Sequence, residues 1–120
     1  MGRRARRQER LKAPQSDYAD QQGNVLTLRG SLTPGARREY ADVLAGHAAS
    51  AAATQEDLAQ RAMELLFERL AVRWVLAGVP LERQKELVGR LRMADPQERS
   101  WVRATLREHC AEHFPELEAP

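Results

Sequence analysis

The sequence predicts a mainly α fold: a small bundle of about four helices with flexible termini. Four segments place apolar residues at the three- and four-residue spacing of an amphipathic helix. Two of these segments open with a capping residue followed by proline, Thr33-Pro34 and Asp95-Pro96, as helix N-termini often do. The 120 residues, of which 42% are apolar and 30% charged, suit one globular domain with a single core.

Residues 1–16 are predicted to form a flexible basic arm, because Leu11 is their only large apolar side chain after Met1 and Pro14 lies near their end. Residues 1–13 carry a net charge of +5, whereas the whole chain carries +2, so residues 14–120 sum to −3. The arm is a candidate contact for nucleic acid or an acidic surface. No aromatic residue stands between its basic residues, so such contact would be independent of base sequence. The candidate residues are Arg3, Arg4, Arg6, Arg7, Arg10 and Lys12.

A short β-hairpin over residues 17–29 is the one strand-like feature that the sequence suggests. Tyr18 precedes the turn signal Gln22-Gly23-Asn24, and the apolar run 25–28 follows it. An isolated two-stranded ribbon is only marginally stable in water. We therefore expect the hairpin to lie against the helices or to pair with another chain, which makes self-association an expectation.

The four helices are assigned from their start and stop signals. Helix one ends near Gly46, and helix two begins after Thr54 and stops before Gly78 and Pro80. The expected ranges are 34–45, 55–77, 81–93 and 96–113. With the hairpin they form one helical domain over 17–115, followed by a loose acidic tail, 116–120.

Arg69 and Arg73 interrupt the apolar face of the predicted helix 55–77. A largely buried guanidinium requires a carboxylate or a bound anion as its partner. We favour an internal ion pair with an acidic side chain of another helix, such as Glu82, Glu86 or Glu98. The alternative is a binding site for an anion or a partner protein.

His109, Cys110 and His113 lie close together on the predicted last helix. A His-x-x-x-His spacing can hold one metal ion, but a closed zinc site requires four ligands and the chain offers few others. These residues are weak candidates for a metal-binding sensor or a small enzyme. Packing at the end of an apolar face is the more common role of such residues.

The remaining motifs argue against several classes of function. The seven glycines form neither of the two common phosphate-binding patterns, GxGxxG and GxxxxGK[ST]. The richest apolar segment, 65–76, is interrupted by charged residues, so no membrane segment is expected. The chain has a single cysteine, and the arginines near its start are not followed by the apolar run of a secretory signal. Both observations favour a cytoplasmic protein. We expect no enzyme activity and no cofactor, and we interpret the chain as a helical adaptor that contacts a protein partner.

Overall fold

A computed structural model describes residues 14–120. Within this range the chain forms four helices and a four-stranded antiparallel sheet, so the fold is mixed α/β. The prediction of a mainly α helical bundle is therefore wrong. The six basic residues predicted to make contacts, Arg3 to Lys12, lie outside the described residues.

The sheet is an antiparallel meander with the strand order β1-β2-β3-β4. Its strands are β1, Gln15–Ala19; β2, Val25–Arg29; β3, Ala71–Leu76; and β4, Val79–Leu81. Strand β1 pairs with β2 so that Tyr18 lies opposite Leu26, and Leu26 in turn lies opposite Trp74 of β3. The predicted hairpin is present and begins at Gln15, inside the segment expected to be a flexible arm.

The helices are α1, Pro34–Ala45; α2, Gln55–Leu70; α3, Gln84–Arg92; and α4, Pro96–His113. Helices α1 and α4 occupy the ranges that the sequence predicted. Thr33 and Asp95 cap them, because each side chain accepts a hydrogen bond from the backbone N–H three residues later. Gly46 ends α1 with a φ of 78°, a left-handed conformation that glycine adopts without steric cost.

Helix α2 begins as predicted but ends seven residues early. Thr54 and Asp57 form a reciprocal capping box at its start. Beyond Leu70 the chain turns extended and forms β3, so the prediction of a helix to residue 77 is wrong. β-Branched and aromatic side chains in this segment favour a strand, and β3 pairs with the free edge of β2. The hairpin thus gains its partner within the same chain.

A two-residue turn joins β3 to β4. Ala77 and Gly78 have φ values of 49° and 79°, and positive φ at both central residues is the mark of a type I′ hairpin turn. Because β4 extends to Leu81, the helix predicted over 81–93 begins only at Gln84.

The acidic C-terminal tail, expected to be loose, lies against the helices. The Tyr40 hydroxyl donates to the Glu118 carbonyl, and the Arg103 Nε donates to the Pro120 carbonyl at 3.2 Å. Pro120 itself is buried. These contacts attach the tail to α1 and α4.

The core lies between the sheet and the helices. Helix α2 is central and contacts α1, α3, α4 and β3. The sheet contributes alternate residues, whose side chains share one face. The largest fully buried apolar side chains are Trp74, Tyr40, Phe67, Phe114, Leu26, Leu28, Met63, Leu66, Leu70, Leu87, Leu91 and Leu106. Across residues 14–120, none of the helices has both the length and the apolar character that crossing a bilayer requires.

Candidate functional site

His109 connects α4 to the β-hairpin. Its side chain is fully buried, and its Nε2 lies 2.8 Å from the carbonyl oxygen of Arg29. A carbonyl only accepts, so Nε2 carries the proton and Nδ1 is an acceptor. The Tyr18 hydroxyl donates to that Nδ1 at 2.8 Å. Both ring nitrogens are therefore used in holding the hairpin to the helix.

Cys110 and His113, the other two predicted residues, are also engaged in contacts within the fold. Burial lowers the pKa of the His109 imidazole, which favours the neutral ring. Burial raises the pKa of the Cys110 thiol to about 11, so little nucleophilic thiolate forms at neutral pH. The His113 ring lies 4.4 Å from that of His109 between centroids, and its Nε2 is 3.3 Å from the Ser16 hydroxyl. The three predicted residues thus lie together, but their contacts are hydrogen bonds and core packing that stabilise the fold.

No arrangement of side chains in residues 14–120 supports metal binding. No group of three or more histidine, cysteine or carboxylate side chains there is placed to hold an ion. The sensor or enzyme hypothesis for His109, Cys110 and His113 gains no geometric support from this part of the chain.

Arg69 and Arg73 lie in different environments. Arg69, in the last turn of α2, pairs with Glu39 of α1 at 2.9 Å, and its side chain is 41% exposed. The pair is thus half-exposed, and its acid lies on another helix but is not one of the three glutamates given as examples. Arg73 is on β3 opposite Thr27 and is exposed, because the helix that was to carry it ends at Leu70. Arg69 and Glu39 line a hollow of about 510 Å³ beside the start of α1.

A larger cleft, of about 610 Å³, lies at the opposite end of the hairpin. Its walls come from the β1–β2 turn, the end of β3, helix α3 and the start of α4. We call it the tryptophan cleft, because it is lined by both tryptophans of the chain. Its principal residues are Asp20, Trp74, Arg90, Asp95, Glu98 and Trp101.

Trp74 and Arg90 form the inner wall of the tryptophan cleft. The guanidinium carbon of Arg90 lies 5.4 Å from the centroid of the Trp74 ring, within range of a cation–π contact. An oxygen of Glu98 accepts from Arg90 at 2.6 Å and neutralises its charge. The indole N–H of Trp74 is buried and has no acceptor among residues 14–120.

The two hairpin turns that border the cleft are fixed to each other. The Asp20 carboxylate accepts from the backbone N–H groups of Gln22 and Asn24 and from the Asn24 side chain. The amide oxygen of Asn24 accepts from the Ala77 N–H at 2.9 Å. This network links the two turns at the rim of the cleft.

Sequence reasoning missed the tryptophan cleft. Its residues come from four separate segments, and the sequence pattern places Trp74 on a helix rather than on a strand that packs against α3. The available signal was the presence of only two tryptophans, one four residues before Gly78-Val79-Pro80 and the other five residues after Asp95-Pro96, both of which mark chain reversals.

Comparison with known proteins returns no match: no protein-family model, no curated protein and no solved structure is similar to this chain.

Proposed function

We propose that this protein is a non-catalytic binding module and that a protein partner docks in the tryptophan cleft. The observation that carries the proposal is the cleft itself, in which aromatic and charged side chains converge on about 610 Å³. Tryptophan and arginine are the residues that most often dominate protein-binding energy. Since His109 and Cys110 are occupied within the fold, the groups most suited to catalysis are better explained by stability.

A cytoplasmic location belongs to this proposal, since the one cysteine of the chain is buried as a free thiol. Self-association remains one form that the partner can take. The hairpin no longer argues for it, because β3 supplies the pairing that a second chain would have provided.

Affinity capture from a native lysate tests the proposal. Full-length protein is compared with Trp101→Ala, which removes the partly exposed wall of the cleft, and with Met93→Ala, which removes an apolar side chain that is 83% exposed outside the cleft. We expect a partner that persists after nuclease treatment, is lost with Trp101→Ala and is retained with Met93→Ala. Equal recovery with all three proteins would contradict docking in the cleft, provided that circular dichroism shows Trp101→Ala to be folded.

The basic segment supports a second proposal, sequence-independent contact with nucleic acid. Residues 1–13 carry a net charge of +5, opposite in sign to the −3 of the remainder. Such binding weakens steeply as salt rises, because each phosphate contact releases counterions. Replacing Arg3, Arg4, Arg6 and Arg7 by glutamine should abolish it. Nucleic acid that co-purifies with this variant as well would refute the second proposal.

A further inference from the structure

The sheet has an outer face, the side that points away from the helices. Neighbouring residues of a strand point to opposite faces, and Leu26 and Trp74 are buried on the helix side, where Trp74 contacts Phe67 of α2. The residues next to them in sequence therefore belong to the outer face. One apolar residue from each strand forms a row across this face, each paired with the next: Ala19, Val25, Val75 and Pro80. The two end members of the row are exposed, and the two middle ones are partly exposed.

A second row of the outer face carries opposite charges at its two ends. Asp17 of β1 lies opposite Thr27 of β2, which lies opposite Arg73 of β3. Thr27 is buried and its hydroxyl donates to Asp17 Oδ1 at 2.6 Å. Arg73 is exposed, and no carboxylate of residues 14–120 forms an ion pair with it. Asp17 cannot do so within one chain, because two strand spacings hold the two backbones about 10 Å apart. The outer face thus presents a negative and a positive group on either side of β2.

This arrangement is complementary to itself. A two-fold axis that runs along β2, between two outer faces, places β1 of one copy over β3 of the other and keeps each row over its equivalent. Asp17 of each copy then faces Arg73 of the other, and Val25 faces Val25. A two-fold axis perpendicular to the strands would instead place each charged residue opposite its own equivalent, which like charges disfavour. The charges therefore select one mode of pairing between two outer faces.

We propose that the outer face binds the outer face of a second copy of this chain, with Asp17 of each copy against Arg73 of the other. The apolar rows pack between the two sheets, as in an aligned sandwich. Four strands of about five residues cover only about 20 Å by 17 Å, less than a standard interface, so the dissociation constant is on the order of 0.1–1 mM. The inference is independent of the proposed docking in the tryptophan cleft, which Trp74 and Leu76 line from the opposite face of β3.

Charge reversal in the full chain tests the pairing, with the dimer affinity measured by sedimentation equilibrium up to about 1 mM. Arg73→Glu and Asp17→Arg each place like charges opposite one another, and each should weaken the dimer at least about tenfold. The double variant restores opposite charges at exchanged positions, so its affinity should return to within about threefold of the original. Arg38→Glu, at an exposed position of α1, changes the net charge as much as Arg73→Glu and should leave the affinity unchanged.

Intermolecular NOEs give a second measurement that needs no substitution and so decides the matter even if a charge variant fails to fold. The sample mixes ¹³C-labelled and unlabelled full-length chain at about 1 mM, and isotope filtering retains only contacts between copies. We expect NOEs from the Val25 methyl groups to Val25 of the other copy, and from Val75 to Ala19 of the other copy, because the two-fold axis along β2 places these residues over one another.

Several results would overturn the proposal. They are a chain that stays monomeric up to about 1 mM; equal weakening by Arg38→Glu and Arg73→Glu; a folded double variant as weak as the single ones; and NOEs between copies that involve other surfaces. Loss of the dimer on replacing Arg3, Arg4, Arg6 and Arg7 by glutamine would assign the association to the basic segment instead. Trp101→Ala should leave the dimer intact, and a dimer that it weakens would place the interface in the tryptophan cleft.

Discussion

The hydrogen bond between Tyr18 and His109 should contribute measurably to stability. Tyr18→Phe removes the hydroxyl that donates to His109 Nδ1 at 2.8 Å but keeps the ring that meets the imidazole edge-on at 5.6 Å between centroids. The substitution therefore isolates one polar contact between the hairpin and α4. No other donor takes the place of the lost hydroxyl at His109 Nδ1, because the imidazole is fully buried.

The magnitude follows from the burial of the acceptor. A buried polar atom left without a partner costs about 1–3 kcal/mol, and Tyr18 is only partly buried, so we expect a loss of about 1–2 kcal/mol in the free energy of unfolding. For a domain of this size, that lowers Tm by roughly 5–10 °C. His109→Leu should cost about 2–4 kcal/mol, because it leaves both the Tyr18 hydroxyl and the Arg29 carbonyl unpaired.

Urea unfolding at several pH values is the appropriate assay. Burial lowers the pKa of folded His109 below the ordinary 6.5, so the unfolded chain takes up a proton first as the pH falls. The stability that neutral His109 provides is complete above about pH 6.5 and is lost as the pH falls toward its folded pKa, by at most about 1.4 kcal/mol per pH unit. His109→Gln should remove this loss between pH 6.5 and 5.

Tyr40→Phe is the matched control, because it removes the only other tyrosine hydroxyl, which bonds the Glu118 carbonyl. Tyr18→Phe should raise the pKa of His109, since its donor favours the neutral imidazole, whereas Tyr40→Phe should leave the His109 titration unchanged in NMR. A loss below about 0.3 kcal/mol for Tyr18→Phe, within the scatter of neutral substitutions, together with an unmoved His109 pKa, would refute the reasoning.

Three further predictions concern two backbone positions with positive φ and the buried cysteine thiol. Gly46→Ala should destabilise by about 1–2 kcal/mol in urea unfolding, since φ is 78° and the added Cβ would lie 3.1 Å from Leu58. Ala77→Asn should stabilise by about 0.5–1 kcal/mol, measured as a rise in Tm, because it gives the β3–β4 turn the Asn-Gly pair that type I′ prefers. Cys110 should react with a thiol reagent at least ~100-fold more slowly in the folded protein than in denaturant, because it is buried.

Each of these has its own check. Gly89→Ala, within α3, meets no atom within 4 Å and should stabilise by about 0.5–1 kcal/mol, so equal effects at Gly46 and Gly89 would contradict the backbone argument. A lower Tm for Ala77→Asn would argue against a type I′ turn. Rapid labelling of folded Cys110 would show that the end of α4 opens readily.

The segments with local signals were predictable from the sequence. Helices α1 and α4 begin at Thr33-Pro34 and Asp95-Pro96, where capping side chain and proline act within a few residues, and the structure places both helices over the predicted ranges. The turn at Gln22-Gly23-Asn24 was predictable because its signal is also local. Gly23 adopts the positive φ, 81°, that glycine readily takes in a turn.

The switch from α2 to β3 was not predictable in this way. Residues 71–76 continue the apolar spacing of the helix, and the first strong stop signals, Gly78 and Pro80, come after the strand has ended. What decides the outcome is the free edge of β2, a contact some 45 residues away in sequence. Such a pairing leaves no trace in local periodicity.

The tryptophan cleft depends on that same switch. As part of β3, Trp74 lies opposite Leu26, and Arg90 stacks on its ring while pairing with Glu98. Because β3 pairs with β2, the turn at Asp20 and the turn at Ala77 meet, and the start of α4 closes the third side. The feature that best suits binding therefore arises from the one element that the sequence concealed, which is why composition and motifs pointed instead to the basic segment and to His109.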